Sequence, residues 1–195
     1  MNTKETDKSL LEKKIQSEKI FSGTLLHVYR DQVLLPDGET SVREWIDHPG
    51  ASAILPVFES GHVQLLKQFR YPLQRNFLEV PAGKIDRGED PLVAAKRELE
   101  EETGIHGKNW ISLGEFYPCI GYTNEVIYLY VTWDLDVSDN RVDDDEFLKP
   151  VRIPFQKAID KVYSGEISDG KTVVNILRAA HWWKQHTPFP LSINH

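Results

Sequence analysis

The sequence predicts an α+β fold with a small antiparallel β-sheet domain near its amino-terminal end. Three observations carry this. Residues 18–47, EKIFSGTLLHVYRDQVLLPDGETSVREWID, alternate apolar and polar side chains around the turn residues PDG, the pattern of strands joined tightly and antiparallel. The next stretch, ASAILPVFE, HVQLLKQFRYPL and NFLEVPAG, is β-rich and broken by turn residues. After these comes a strong helix signal at 91–103, with further helical patterns only near the carboxyl-terminal end.

In chain order, residues 1–17 are polar apart from the Leu10-Leu11 pair and read as a frayed or weakly helical lead-in. Residues 18–48 give three strands forming the small domain, and residues 49–195 form the main domain. Strands come first there. The helix at 91–103 is bounded on chemical grounds: Asp90 suits the N-cap, Pro91 the first helical position, and Gly104 the left-handed C-terminal cap. Leu92, Ala95 and Leu99 share its apolar face. Strands follow near 110–117 and 125–134, then the acidic loop SDNRVDDDE, a short strand near 148–153, and helices near 155–164 and 170–185. No internal repeat is present.

Composition narrows the function classes. With 195 residues, 40% of them hydrophobic, the chain is long enough to bury a core. A net charge of -7, with no Lys/Arg-rich run, argues against nucleic acid as a partner. The amino-terminal residues lack the apolar stretch of a signal peptide, and no run of about 18 apolar residues suggests a membrane span, so a cytoplasmic protein is expected. The single cysteine, Cys119, rules out an internal disulfide or a cysteine-built metal centre. Any bound metal must therefore be held by oxygen.

The segment KRELEEETGI places four glutamates, Glu98, Glu100, Glu101 and Glu102, within five positions. Like charges at i,i+4 repel on a helix, so something must offset them. With Leu92, Ala95 and Leu99 facing the core, Glu98, Glu101 and Glu102 fall on a neighbouring face and Glu100 points elsewhere. Clustered carboxylates suit a hard divalent cation such as Mg²⁺. A solvated acidic helix is the simpler alternative. The surrounding residues decide between them, because Gly83–Ile105 fits G-x5-E-x7-R-E-U-x-E-E-x-G-U, where U is a bulky aliphatic, at every specified position. Those are Gly83, Glu89, Arg97, Glu98, Leu99, Glu101, Glu102, Gly104 and Ile105. By ordinary residue frequencies a chance match is on the order of 10⁻⁹ per starting position.

This pattern resembles the Nudix hydrolase signature. The resemblance implies an α/β/α sandwich and a Mg²⁺-dependent pyrophosphatase, with Mn²⁺ as a possible substitute, acting on a nucleoside diphosphate linked to another moiety. Carried over, Glu98 and Glu102 would bind metal, Glu101 would be a ligand or near-ligand, Glu89 would support the site, and Arg97 would hold the glutamates by ion pairing. The segment QFRYPLQRNFLEVPAGKIDRGED, with GYTNE at 121–125 and YSGEISDGKT at 163–172, resembles the branch that hydrolyses ADP-ribose and nucleoside diphosphate sugars. It implies substrate contacts at Arg70, Glu79, Gly121 and Glu125 and a metal-binding carbonyl at Ala82. One departure is Ile120, where ADP-ribose enzymes commonly carry proline before the glycine.

The resemblance also points to a general base or extra metal ligand in the acidic loop. Glu146 is the first choice, Asp144 the second and Glu101 the third. It further implies a homodimer whose amino-terminal strands supply aromatic groups to the base, with Trp45 and Tyr29 as candidates. Trp182, Trp183 and His181 are expected to be packing residues, and Cys119 a structural thiol. The expected activity is hydrolysis of ADP-ribose or a related nucleoside diphosphate sugar. GDP-mannose as the preferred substrate, an oxidised nucleoside triphosphate, or a ligand-sensing module without turnover are the alternatives.

Overall fold

Turn chemistry at 36–38 is realised as the sequence suggests. In the computed structural model, which describes residues 7–138 and 147–186, Gly38 takes a positive φ of 91° and its amide donates to the carbonyl of Leu35. This turn joins β2 (His27–Leu34) to β3 (Thr40–Asp47), and β1 (Lys13–Ser22) pairs antiparallel with the other edge of β2. The strand β1 begins inside the stretch read as a frayed or weakly helical lead-in, which is the main correction to the sequence reading. All ten of its residues are exposed, so no buried face imposes an alternation a reader could detect. Backbone pairing to β2, from Lys13 opposite Leu34 onward, makes it a strand. Among the described residues of that stretch, Lys8–Leu10 form a helical turn, of the 3-10 type, capped by Asp7.

The chain divides into two units, residues 1–48 with 119–125, and residues 49–118 with 126–195. The larger unit holds two sheets. One has the order β10-β5-β6, from Lys149–Pro154, His62–Arg70 and Arg75–Glu79. The other has the order β7-β4-β9-β8, from Ala82–Lys84, Ala51–Pro56, Ile127–Val137 and Ile105–Phe116. Within it β4 runs parallel to β9, and the other pairs are antiparallel.

Every residue of β4 is buried, because both faces of this sheet are covered. Ile54 and Tyr130 pack with Ala95, Leu99 and Ile105 on the side of α1 (Pro91–Thr103). Ala53, Leu55, Leu129 and Val131 join Ile176, Ala179 and Trp183 on the side of α3 (Gly170–Gln185), with Phe155 and Ala158 of α2 (Phe155–Tyr163). This is the α/β/α sandwich expected from the signature. The helix α1 has the expected bounds: Asp90 Oδ1 accepts from the amides of Leu92 and Val93 at 2.9 and 3.3 Å, and Gly104 closes it at φ 66°. At the end of α3, Trp183 packs in the core whereas His181 is exposed, so His181 is not a packing residue. Among the described residues, no helix is long and apolar enough to cross a membrane.

Candidate active site

Strand β7 and helix α1 bring the signature residues together. Glycine at 83 leaves room for the Glu98 carboxylate: a Cβ there would sit 1.9 Å from its carboxyl carbon, and the carboxylate would have to move. One carboxylate oxygen of the buried Glu102 accepts the Ala82 amide at 2.9 Å. Two of the glutamates on α1 therefore reach back to β7, which places oxygen donors beside the backbone of Ala82 and Gly83.

Arg97 uses its whole guanidinium to knit this region. Its Nε and Nη2 donate to the two oxygens of Glu89, each at 3.0 Å, and Nη2 also donates to the Lys84 carbonyl at 3.0 Å. Its Nη1 donates to Glu98 at 2.8 Å and to Glu101 at 3.0 Å. Bonding to Glu89, and then to Glu98 and Glu101, outweighs burial and keeps Arg97 even more firmly protonated than usual. In return Arg97, helped by the Asp86 amide, holds the Glu89 carboxyl below the ordinary carboxylate range. The repulsion within the glutamate run is thus partly offset by a residue of the same helix. Among the described residues no three carboxylate, His or Cys side chains are grouped to hold a cation, since Arg97 draws Glu98 and Glu101 while Glu102 is turned to Ala82.

A second charged group lies where β5 and β6 meet the start of α3. Arg70 grips Glu79 with two parallel bonds, Nε to Oε1 at 2.8 Å and Nη2 to Oε2 at 2.6 Å. Lys171 Nζ also donates to Glu79 Oε2, and to Asp169 Oδ2 at 2.9 Å. The Glu79 side chain is only 4% exposed, whereas that of Arg70 is 44% exposed. Burial pushes the Glu79 carboxyl up, but Arg70 and Lys171 together outweigh it and hold it below the ordinary range. Glu79 first, then Asp169 and Glu102 at longer range, raise the Arg70 guanidinium.

Of the residues singled out in the sequence, Arg70, Glu79, Ala82, Arg97, Glu98, Glu101 and Glu102 belong to the larger unit. Tyr29 and Trp45 belong to the smaller one, as stacked cross-strand neighbours with ring centroids 5.1 Å apart. Trp45 Nε1 donates to the buried Asp31 at 3.1 Å. Gly121 and Glu125 are in the 119–125 segment of that same unit: Gly121 is exposed, and Glu125 faces His48 at 3.6 Å. Glu146 and Asp144 lie outside the described residues. Lys171 and Asp169 carry no individual signal in the sequence, since no spacing rule links them to a glutamate 92 residues from Lys171.

Comparison with known proteins agrees with this geometry. Residues 47–173 match the family model described as the NUDIX domain. The chain is 41% identical over 171 residues to the ADP-ribose pyrophosphatase of Bacillus subtilis (strain 168), covering 87% of this chain and 92% of that protein. It is 39% identical over 167 residues to the methanol dehydrogenase activator of Bacillus methanolicus, covering 85% and 90%. The crystal structure of an ADP compounds hydrolase shares the fold with a TM-score of 0.80 at 23% sequence identity, over 92% of this chain and 98% of that one. On the signature, the sandwich and these relatives together, the chain belongs to the Nudix family.

Proposed function

We propose that this protein hydrolyses the pyrophosphate bond of ADP-ribose or a related nucleoside diphosphate sugar, releasing a nucleoside monophosphate and a sugar phosphate. The observation that carries the reading is the Arg97-knit glutamate array of α1 against Ala82 and Gly83. Identity of 41% to an ADP-ribose pyrophosphatase over most of the chain supports the choice of substrate.

The donor set fits a divalent cation, Mg²⁺ first and Mn²⁺ as a substitute. It is all oxygen, which suits a hard ion, and the glycine at 83 leaves room for the Glu98 carboxylate beside β7. Glu98, Glu102, Glu101 and the Ala82 carbonyl would hold it, with Glu146 as a further ligand. Bound there, a cation neutralises diphosphate charge and makes a coordinated water more acidic. Arg97 holds Glu98 and Glu101 in place. Arg70 offers its exposed edge to a phosphate, and Glu79 serves as the buried anchor of that arginine. Glu146 takes the proton from the attacking water, with Asp144 next in line. The water oxygen bonds to one phosphorus as the bridging P–O bond breaks.

In the same reading Trp45 and Tyr29 stack on the base, Gly121 and Glu125 line the substrate, and residues 18–48 form a dimerising domain beside a catalytic domain at 49–195. The protein works as a homodimer in the cytoplasm, where its one free cysteine would stay reduced. The test is kcat/KM with Mg²⁺ for ADP-ribose, UDP-glucose, GDP-mannose and a nucleoside triphosphate, read as monophosphate release. Glu102→Gln is the control and should lose nearly all turnover. Strong preference for ADP-ribose supports the narrow reading, and comparable rates on several sugars support a general nucleotide-sugar hydrolase. No turnover on any substrate would overturn the proposal in favour of a sensing module.

A further inference from the structure

The geometry points to Lys171 as a positioning residue for substrate binding, acting through Glu79 on Arg70. The start of α3 grips the end of β6 twice. Lys171 Nζ holds the Glu79 carboxylate. At the next position, Thr172 Oγ1 accepts the Val80 amide at 2.9 Å. Both grips converge on Asp169, whose Oδ2 accepts from Lys171 Nζ at 2.9 Å, from the Thr172 amide at 3.1 Å and from the Thr172 hydroxyl at 2.6 Å. The result is a closed loop of side chains from Glu79 through Lys171, Asp169 and Thr172 back to Val80.

Charge explains why a cation is needed inside that loop. Asp169, Lys171, Glu79 and Arg70 alternate in sign along the chain of contacts. Glu79 is buried, and a buried carboxylate needs charge-assisted partners to stay ionised. With Arg70 as the sole partner, that arginine would have to satisfy the whole carboxylate and its position would follow the carboxylate's own mobility. Lys171 fixes Glu79 Oε2 from the helix side, so both arginine bonds are made to an immobile acceptor. Arg70 Nη1, which has no hydrogen bond among the described residues, is then presented in one orientation. The strand end held by Thr172 runs directly into Pro81, Ala82 and Gly83, so α3 steadies the backbone that meets Glu102 as well.

This inference rests on the reading of Arg70 as a substrate contact, and the experiment separates the two. Steady-state kinetics on ADP-ribose with Mg²⁺ would compare Arg70→Ala, Lys171→Met, Lys171→Arg and the double variant Arg70→Ala/Lys171→Met, with thermal melts of each. The expected result is a KM raised roughly tenfold in Lys171→Met, the scale on which loss of one hydrogen bond to a charged group is felt. The turnover number should change far less, and Lys171→Arg should recover most of the affinity. The double variant should be no worse than Arg70→Ala alone, since Lys171 acts through that arginine. If Arg70→Ala raises KM but Lys171→Met does not, the role of Lys171 is overturned while the reading of Arg70 stands. If Arg70→Ala leaves KM unchanged, both fall. Additive losses in the double variant would mark Lys171 as merely structural. Should Lys171→Met fail to fold, Lys171→Gln, which keeps a hydrogen-bond donor without the charge, carries the same comparisons.

Discussion

Gly83 has no side chain, yet the carboxylate of Glu98 depends on it. Substituting alanine would drive a methyl group into that carboxylate, the movable end of a flexible side chain. We expect Gly83→Ala to melt within a few degrees of the parent and to lose most of its hydrolytic rate, measured as ADP-ribose turnover beside a thermal scan. Glu79 gives a prediction about pH. Its folded-state pKa lies below the ordinary value of 4.5, so its contribution to stability is full above that value and is lost as pH falls through the folded-state pKa. The melting temperature should therefore drop more steeply below about pH 4.5 in the parent than in Glu79→Gln. Glu79 itself stood out in the sequence as a substrate contact, but its burial did not. A strand residue's partners are set by which elements pack on it, and here the decisive cation comes from a helix near the far end of the chain.

The helix α1 was the most legible element, because its limits are written in local chemistry. Asp90, Pro91 and Gly104 act within a few residues of themselves, and the structure uses each as the sequence implied. Asp90→Ala should cost about 1 kcal/mol of stability, seen as a lowered denaturant midpoint with little change in KM. Loss of far more would mean that the cap also braces the signature loop. Strand β1 was the least legible, for the opposite reason. Lys13, Lys14, Gln16 and Ser17 carry no alternation, and their strand conformation is set by a partner strand. The resemblance implied that Arg97 pairs with the glutamates, as it does with Glu98 and, across one turn, with Glu101. Its bonds to Glu89 and the Lys84 carbonyl needed the loop to fold back.

At the scale of the whole molecule, the sandwich was legible through the resemblance that the signature carries. The amino-terminal sheet could be expected but not its surface. Ile15, Phe21 and Val42 are more than half exposed there. For the proposed homodimer we expect light scattering to give twice the chain mass, and Phe21→Glu with Ile15→Glu to shift it toward the monomer. An unchanged dimer would move the interface elsewhere.

The parallel pairing of β4 with β9 has a kinetic side. Ala51 lies opposite Ile127, so the central sheet closes only after the whole signature helix has been made and bypassed. Such distant pairing must meet its loop entropy before any contact rewards it. α3, which anchors Glu79, follows later still in the chain. During synthesis, Arg97 and the glutamates it holds therefore emerge long before the helix that fixes Glu79. Competence to bind substrate should arrive late and all at once, when the last described helix docks.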